Sequence, residues 1–270
     1  MHLSRRPCPR PRPRPHLQFG VDGLHLFPHL RVMNSPTKIC VIGTGRSGTG
    51  HFTAVAADLG MDIGHETERK DGISSWCLVS KLRYSPYGPA HHDIQWDDHL
   101  VGMQIRNPLQ TIASLETFNK SSWAFILDDA QDRVNKKWWR QSNMRKRAMW
   151  HWLDWNQQAL EQAQVHWTLG DAPAIGPALA KGTGRTSHAS KWEDAWFARK
   201  KNANNAHSRV PKLSTLLKTS PPVALRRIKH AYLGNQLDEN RLFKEDAALA
   251  KDIMAFWEDV QRSSALLHRA

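Results

Sequence analysis

Four apolar residues, Ile39-Cys40-Val41-Ile42, run directly into Gly43-Thr44-Gly45-Arg46-Ser47-Gly48-Thr49-Gly50, and an amphipathic stretch begins behind that loop. Phe52, Val55, Ala56 and Leu59 fall on one face of a helix over His51 to Leu59, and Gly60 is placed to end it. Met61-Asp62-Ile63 reads as a second strand. Strand, glycine loop, helix and strand in this order predict a βαβ unit, hence a parallel sheet with the loop at its carboxyl edge. Backbone N–H groups and the positive end of a helix then converge on one point, which is a phosphate site. The expected fold is a three-layer α/β/α domain with a central parallel sheet and a P-loop-like phosphate-binding loop.

Further along, Leu100 to Ile105 is another strand candidate. Asn107 is its helix-opening N-cap and Pro108 the first helical residue, with Leu109, Ile112 and Ala113 facing inward. The stretch Trp138 to Ala163 reads as one helix or a helix pair that offers Trp139, Trp150, Trp152, Trp155 and Leu160 for burial. Residues 168 to 221 have weak periodicity and read as long loops, and Leu242 to Leu267 as a closing helix. A chain of 270 residues is enough for one catalytic domain, expected over residues 38–270. An Arg/Pro-rich arm precedes it over 1–37. Residues 1 to 32 hold six of the fifteen prolines, so they form neither helix nor core strand. Either they are a disordered arm or translation starts at Met33.

The formal charge is +13, of which +5 lies in residues 1 to 32 and +8 in the body. Such an excess suits a binder of a small, highly charged anion and a nucleic-acid binder equally well. Three cysteines make no disulfide framework, and no Cys/His spacing matches a zinc site. His91 and His92 would point apart on a strand, so no metal is assigned. Absence of a long apolar run argues against a membrane span, and the expected location is cytoplasmic.

The spacing Gly43-x4-Gly48-Thr49 resembles the Walker A loop of nucleotide triphosphatases, but the Lys of that loop is missing and Arg46 is its one cation. Gly43-Thr44-Gly45-Arg46-Ser47-Gly48-Thr49 resembles more closely the 5′-phosphosulfate loop of the sulfotransferases, which keeps Arg or Lys before Ser-Gly-Thr. That family also carries an Arg and a Ser eight residues apart, matched here by Arg106 and Ser114. The resemblance covers residues 38 to about 118. It implies 3′-phosphoadenosine 5′-phosphosulfate as donor. Gly45, Arg46, Ser47, Gly48, Thr49 and Gly50 would bind its 5′ end, and Arg106 and Ser114 its 3′-phosphate. Arg46 would also stabilise the leaving oxygen. Glu66, or else His65, would take the acceptor's proton, the alternatives being an ion pair for Glu66 and a structural role for His65.

The resemblance has departures. Gly50 and His51 replace a Thr and a large apolar residue, which leaves the first turn of the helix open, and the acidic strand motif is not recognisable near His166 to Asp171. Asp71, Trp76 and the loop to Trp96 are candidates for an acceptor pocket, with packing the commoner role of such a Trp. The basic run Arg199-Lys200-Lys201 with Arg209 reads as a solvated face or as a phosphate contact. The expected acceptor is a small molecule or carbohydrate, with no specific nucleic acid as partner. Two rival readings are a degenerate P-loop nucleotide or nucleoside kinase and a non-catalytic polyanion-binding protein.

Overall fold

The computed structural model describes residues 36–82, 84–87, 96–170, 179, 183, 191–192, 194–196 and 237–267. The arm with Met33, the His91-His92 pair, the basic run at 199–201 and Arg209 lie outside the described residues. Five strands form one all-parallel sheet: β1 (Lys38–Ile42), β2 (Ile63–His65), β3 (Gly72–Ser74), β4 (His99–Ile105) and β5 (Val165–Thr168), in the spatial order β2-β3-β1-β4-β5. The register sets Ile39 opposite both Gly72 and Leu100, and Ile105 opposite Thr168. This is an α/β protein.

Alternation along β1 feeds two cores. Ile39 and Val41 join Phe52, Val55 and Ala56 of helix α1 (Thr49–Asp58) together with Trp167, Trp192 and Trp196. On the other face, Cys40 and Ile42 join Ile112 and Leu115 of α2 (Pro108–Leu115) and Phe125 of α3 (Lys120–Asp129). The same core takes in Trp139 of α4 (Lys136–Gln141) and Trp152 and Trp155 of α5 (Met144–Gln162). Full burial of one such large apolar side chain contributes about 1.5–3 kcal/mol. The chain closes with α6 (Glu239–Glu245) and α7 (Ala247–Leu267), the latter adding Ile253 and Trp257. Among the described residues no helix is long and apolar enough to cross a membrane.

Several expectations shift in detail. Helix α1 begins at Thr49 rather than His51, and Gly60 ends it with φ 80° as its spacing predicts. The second strand is Ile63–His65 rather than Met61–Ile63, because the Met61 N–H still closes on Ala56 O of the helix end. β3, unread in the sequence, lies between β2 and β1. Gly72 permits that approach, since a Cβ there would stand 1.9 Å from Ile39 O. The Trp-rich stretch is a helix pair broken at Ser142-Asn143, where the Asn143 side chain caps α5 through Lys146 N–H. The closing helix is likewise two, divided at Asp246, whose carboxylate accepts from Leu249 N–H. Asn107 and Pro108 open α2 as expected, Asn107 Oδ1 accepting from Leu109 and Gln110 N–H. β5, over Val165–Thr168, carries no strand signal in the sequence, and most of the loop region expected over 168 to 221 lies outside the described residues.

Candidate functional site

In an all-parallel sheet every strand ends on the same edge. The loop after β1, Glu66 after β2, Ser75 after β3 and Arg106 after β4 therefore converge there. The loop makes its turn internally, with Ser47 N–H on Thr44 O at 3.0 Å and His51 N–H on Gly48 O at 2.9 Å. Gly48, at φ 108°, is the N-cap of α1 and supplies no side-chain cap. The first N–H groups of a helix have no partner within it, so this end of α1 presents donors toward the edge. Ser47 is buried and its Oγ has no hydrogen-bond partner among the described residues.

The loop is held from behind by side chains that no motif announced. Gln104, buried in β4, donates from Nε2 to Ser47 O at 3.1 Å and accepts on Oε1 from Trp167 Nε1 at 3.3 Å. Thr44 Oγ1 bonds Asn156 Oδ1 of α5 at 2.7 Å. Arg46 lays its guanidinium over Phe118, 5.1 Å from the ring centroid, and donates from Nη2 to Thr117 Oγ1 at 3.5 Å. A Cβ on Gly45 would stand 2.3 Å from Phe118 Cζ, so this glycine is what lets the ring lie against the loop. One signal for Gln104 was available: it is the single polar side chain in the stretch Leu100 to Ile105.

Arg106 faces the loop, donating from Nη1 to Arg46 O at 3.4 Å and from Nε to Gln110 Oε1 at 3.2 Å. Burial lowers its pKa, though a guanidinium keeps its charge. Ser114 is buried on α2. It is joined to this arrangement through the helix: Gln110 lies one turn before it, and Thr117 Oγ1, which receives Arg46, donates to Ser114 O at 2.7 Å.

His65 is the last residue of β2, and its Nε2 stands 3.4 Å from Thr49 Oγ1 and 3.5 Å from Glu66 Oε1. The imidazole occupies the space beside Gly50, where a Cβ would meet Nε2 at 3.3 Å. The first turn of α1 is therefore filled by His65 rather than left open. Glu66 accepts on Oε2 from Ser75 Oγ. Burial pushes the Glu66 carboxyl up to about 7, against the hydrogen bonds of Ser75, the Trp76 main chain and Cys77. Burial also lowers the His65 pKa, which favours the neutral ring.

Chain comparisons with protein-family models, with curated proteins and with solved structures find no match. The site therefore rests on its own geometry. Among the described residues, the non-glycine residues with left-handed backbone are Arg46, at φ 70°, and Glu66, at φ 61°. Each such conformation costs about 1–2 kcal/mol for an L-residue. Strain of this kind concentrates where a side chain must be aimed.

Two acceptor-side candidates have structural roles, and for Trp76 this is the packing that is the commoner role of such a Trp. Asp71 Oδ2 accepts Asp62 N–H at 2.7 Å and so closes the segment between β2 and β3. Trp76 is buried in the core against Phe118, Phe125 and Trp155, and its carbonyl accepts Trp155 Nε1–H at 2.9 Å. Trp96 is exposed beside His99. Among the described residues no group of three or more His, Cys, Asp or Glu is placed to hold a metal ion.

Proposed function

We propose that this chain is a sulfotransferase, built as a three-layer α/β/α fold with a P-loop-like loop. It moves the sulfuryl group of 3′-phosphoadenosine 5′-phosphosulfate to a hydroxyl or amine of a small-molecule or carbohydrate acceptor. The observation that carries the reading is the convergence at one sheet edge of the two strained residues, Arg46 and Glu66, with Arg106 and the uncapped end of α1. The buried Ser47 hydroxyl, with no hydrogen-bond partner among the described residues, supports a polar ligand at the same place. Buried, free Cys40 and Cys77 fit a reducing compartment such as the cytoplasm.

The donor supplies an activated sulfuryl group and an anionic leaving group; the chain's residues supply position and charge. Gly45, Gly48, Thr49 and Gly50 would hold the 5′-phosphate through main-chain N–H groups and one hydroxyl, and Ser47 would add a second hydroxyl. Arg46 would stabilise the leaving oxygen, while Arg106 and Ser114 would hold the 3′-phosphate. Glu66 is suited to remove the acceptor's proton, because a base is most effective when its pKa lies near the working pH. His65, whose pKa is lowered by partial desolvation, stands beside it as the second candidate.

A thermal-shift titration tests the reading. The nucleotide 3′-phosphoadenosine 5′-phosphate should raise the melting temperature of the wild type more than ADP, or ATP with magnesium, and Arg46→Ala and Arg106→Ala should abolish that preference. A larger shift with ATP and magnesium would favour the kinase reading. No nucleotide shift, with tight salt-dependent polyanion binding, would favour a non-catalytic role.

A further inference from the structure

Ser75 is fully buried at the end of β3, and its position is fixed from two sides: its N–H donates to Val41 O at 2.9 Å, and its Oγ accepts Cys77 N–H at 3.1 Å. With its hydroxyl proton it donates to Glu66 Oε2. Because Glu66 has a left-handed backbone and its own N–H bonds Ser74 O at 3.1 Å, both ends of this residue are tied to β3 and the turn after it. The two carboxylate oxygens are thereby made unequal. Oε2 is committed to Ser75, while Oε1 faces His65 Nε2 at 3.5 Å, on the side of Thr49 and the glycine loop.

We propose that Ser75 is a positioning residue for the base, locking Glu66 Oε2 so that Oε1 is the oxygen that takes the acceptor's proton. This rests on the sulfotransferase reading. In the step it serves, the acceptor O–H or N–H bond breaks and its proton passes to Glu66 Oε1. The acceptor atom bonds sulfur as the bond from sulfur to the bridging oxygen breaks, and that electron pair stays on the 5′-phosphate. The groups that face Glu66 are His65 from β2 and, from the turn after β3, the Ser75 hydroxyl, the Trp76 main chain and the Cys77 thiol. Of these, the Ser75 hydroxyl is the strongest hydrogen-bond opposition to the burial that drives the carboxyl up. Loss of that donor therefore raises the pH at which Glu66 becomes a base.

The experiment follows release of the 3′,5′-bisphosphate nucleotide from 3′-phosphoadenosine 5′-phosphosulfate with water as acceptor, from pH 5.5 to 9. It compares wild type, Ser75→Ala, Ser75→Thr and Glu66→Gln. The wild-type rate should rise with pH through a midpoint set by Glu66, and Glu66→Gln should abolish the rise. In Ser75→Ala the midpoint should move up, lowering the rate at acid pH by about tenfold per unit of displacement while the alkaline plateau stays near wild type. Ser75→Thr, which keeps the hydroxyl, should restore the wild-type midpoint. Should Ser75→Ala lack a melting transition, Ser75→Cys, a weaker donor of similar size, makes the same comparison. Thermal shifts with 3′-phosphoadenosine 5′-phosphate on the same proteins distinguish loss of positioning from loss of donor binding. If every variant binds the nucleotide but the Ser75→Ala profile overlays the wild type, the positioning role is wrong. If the wild type binds no nucleotide, the sulfotransferase reading is wrong and the positioning role goes with it.

Discussion

Arg106 reaches back from the end of β4 to donate to the main-chain oxygen of Arg46 across 3.4 Å, so one arginine braces the strained backbone of the other. This pairing makes Arg106 more than a surface charge. It fixes the loop on one side while its Nε fixes Gln110 on the other. A lysine has neither the second nitrogen nor the planar fork to do both.

Arg106→Lys should therefore weaken 3′-phosphoadenosine 5′-phosphate binding nearly as much as Arg106→Ala. The expected loss is about 1.5–3 kcal/mol, roughly ten- to a hundredfold in Kd. Isothermal titration would check it, and a lysine variant with wild-type affinity would show that charge alone matters there.

Gly45→Ala should destabilise the fold, because the added methyl would lie 2.3 Å from Phe118 Cζ and 3.4 Å from Trp76 Cδ2. Overpacking of this kind costs about 1–3 kcal/mol. Urea denaturation reads the loss, and the double variant Gly45→Ala/Phe118→Leu should recover part of it. A double variant no more stable than Gly45→Ala would place the strain elsewhere.

Glu66 should make the protein less stable as pH rises. Its carboxyl titrates at about 7 in the folded chain against an ordinary 4.5, chiefly through burial. Between those values the folded state keeps a proton that the unfolded chain has released. The stabilisation is complete below the lower value and lost as pH rises through the upper, up to about 3 kcal/mol. Glu66→Gln should accordingly gain stability relative to wild type between pH 5 and pH 8. Parallel denaturation curves at the two pH values would overturn this.

His151 should act in the opposite sense. It is fully buried among the rings of Trp76, Phe118, Trp123 and Trp155, with both ring nitrogens lacking a hydrogen-bond partner among the described residues. Burial, helped by the charge of Arg133, lowers its pKa from 6.5 to about 3. The unfolded chain then holds the extra proton between those values, so stability is full above the upper and falls as pH drops toward the lower. His151→Phe should flatten that acid loss and, by removing unpaired nitrogens, raise stability at pH 7.5 by about 1–3 kcal/mol. Equal acid sensitivity in both proteins would contradict it.

The sequence by itself determined the elements whose signals are local. The run of Ile39 to Ile42, the glycine loop, the periodic face of Phe52, Val55 and Ala56, and Asn107-Pro108 each specify their conformation through near neighbours. The parallel strand, loop and helix followed from them. Arg46, His65, Glu66 and Arg106 could be nominated on the same basis. Tertiary structure alone decided that β3, three residues with no period to read, would slip between β2 and β1 and bring Ser75 against Glu66. It also decided that Gln104 and Asn156, 57 and 112 residues from their partners Ser47 and Thr44, would hold the loop. Such contacts are chosen by the burial of whole faces and the pairing of polar atoms trapped between them. Neither quantity is carried by a short stretch of chain.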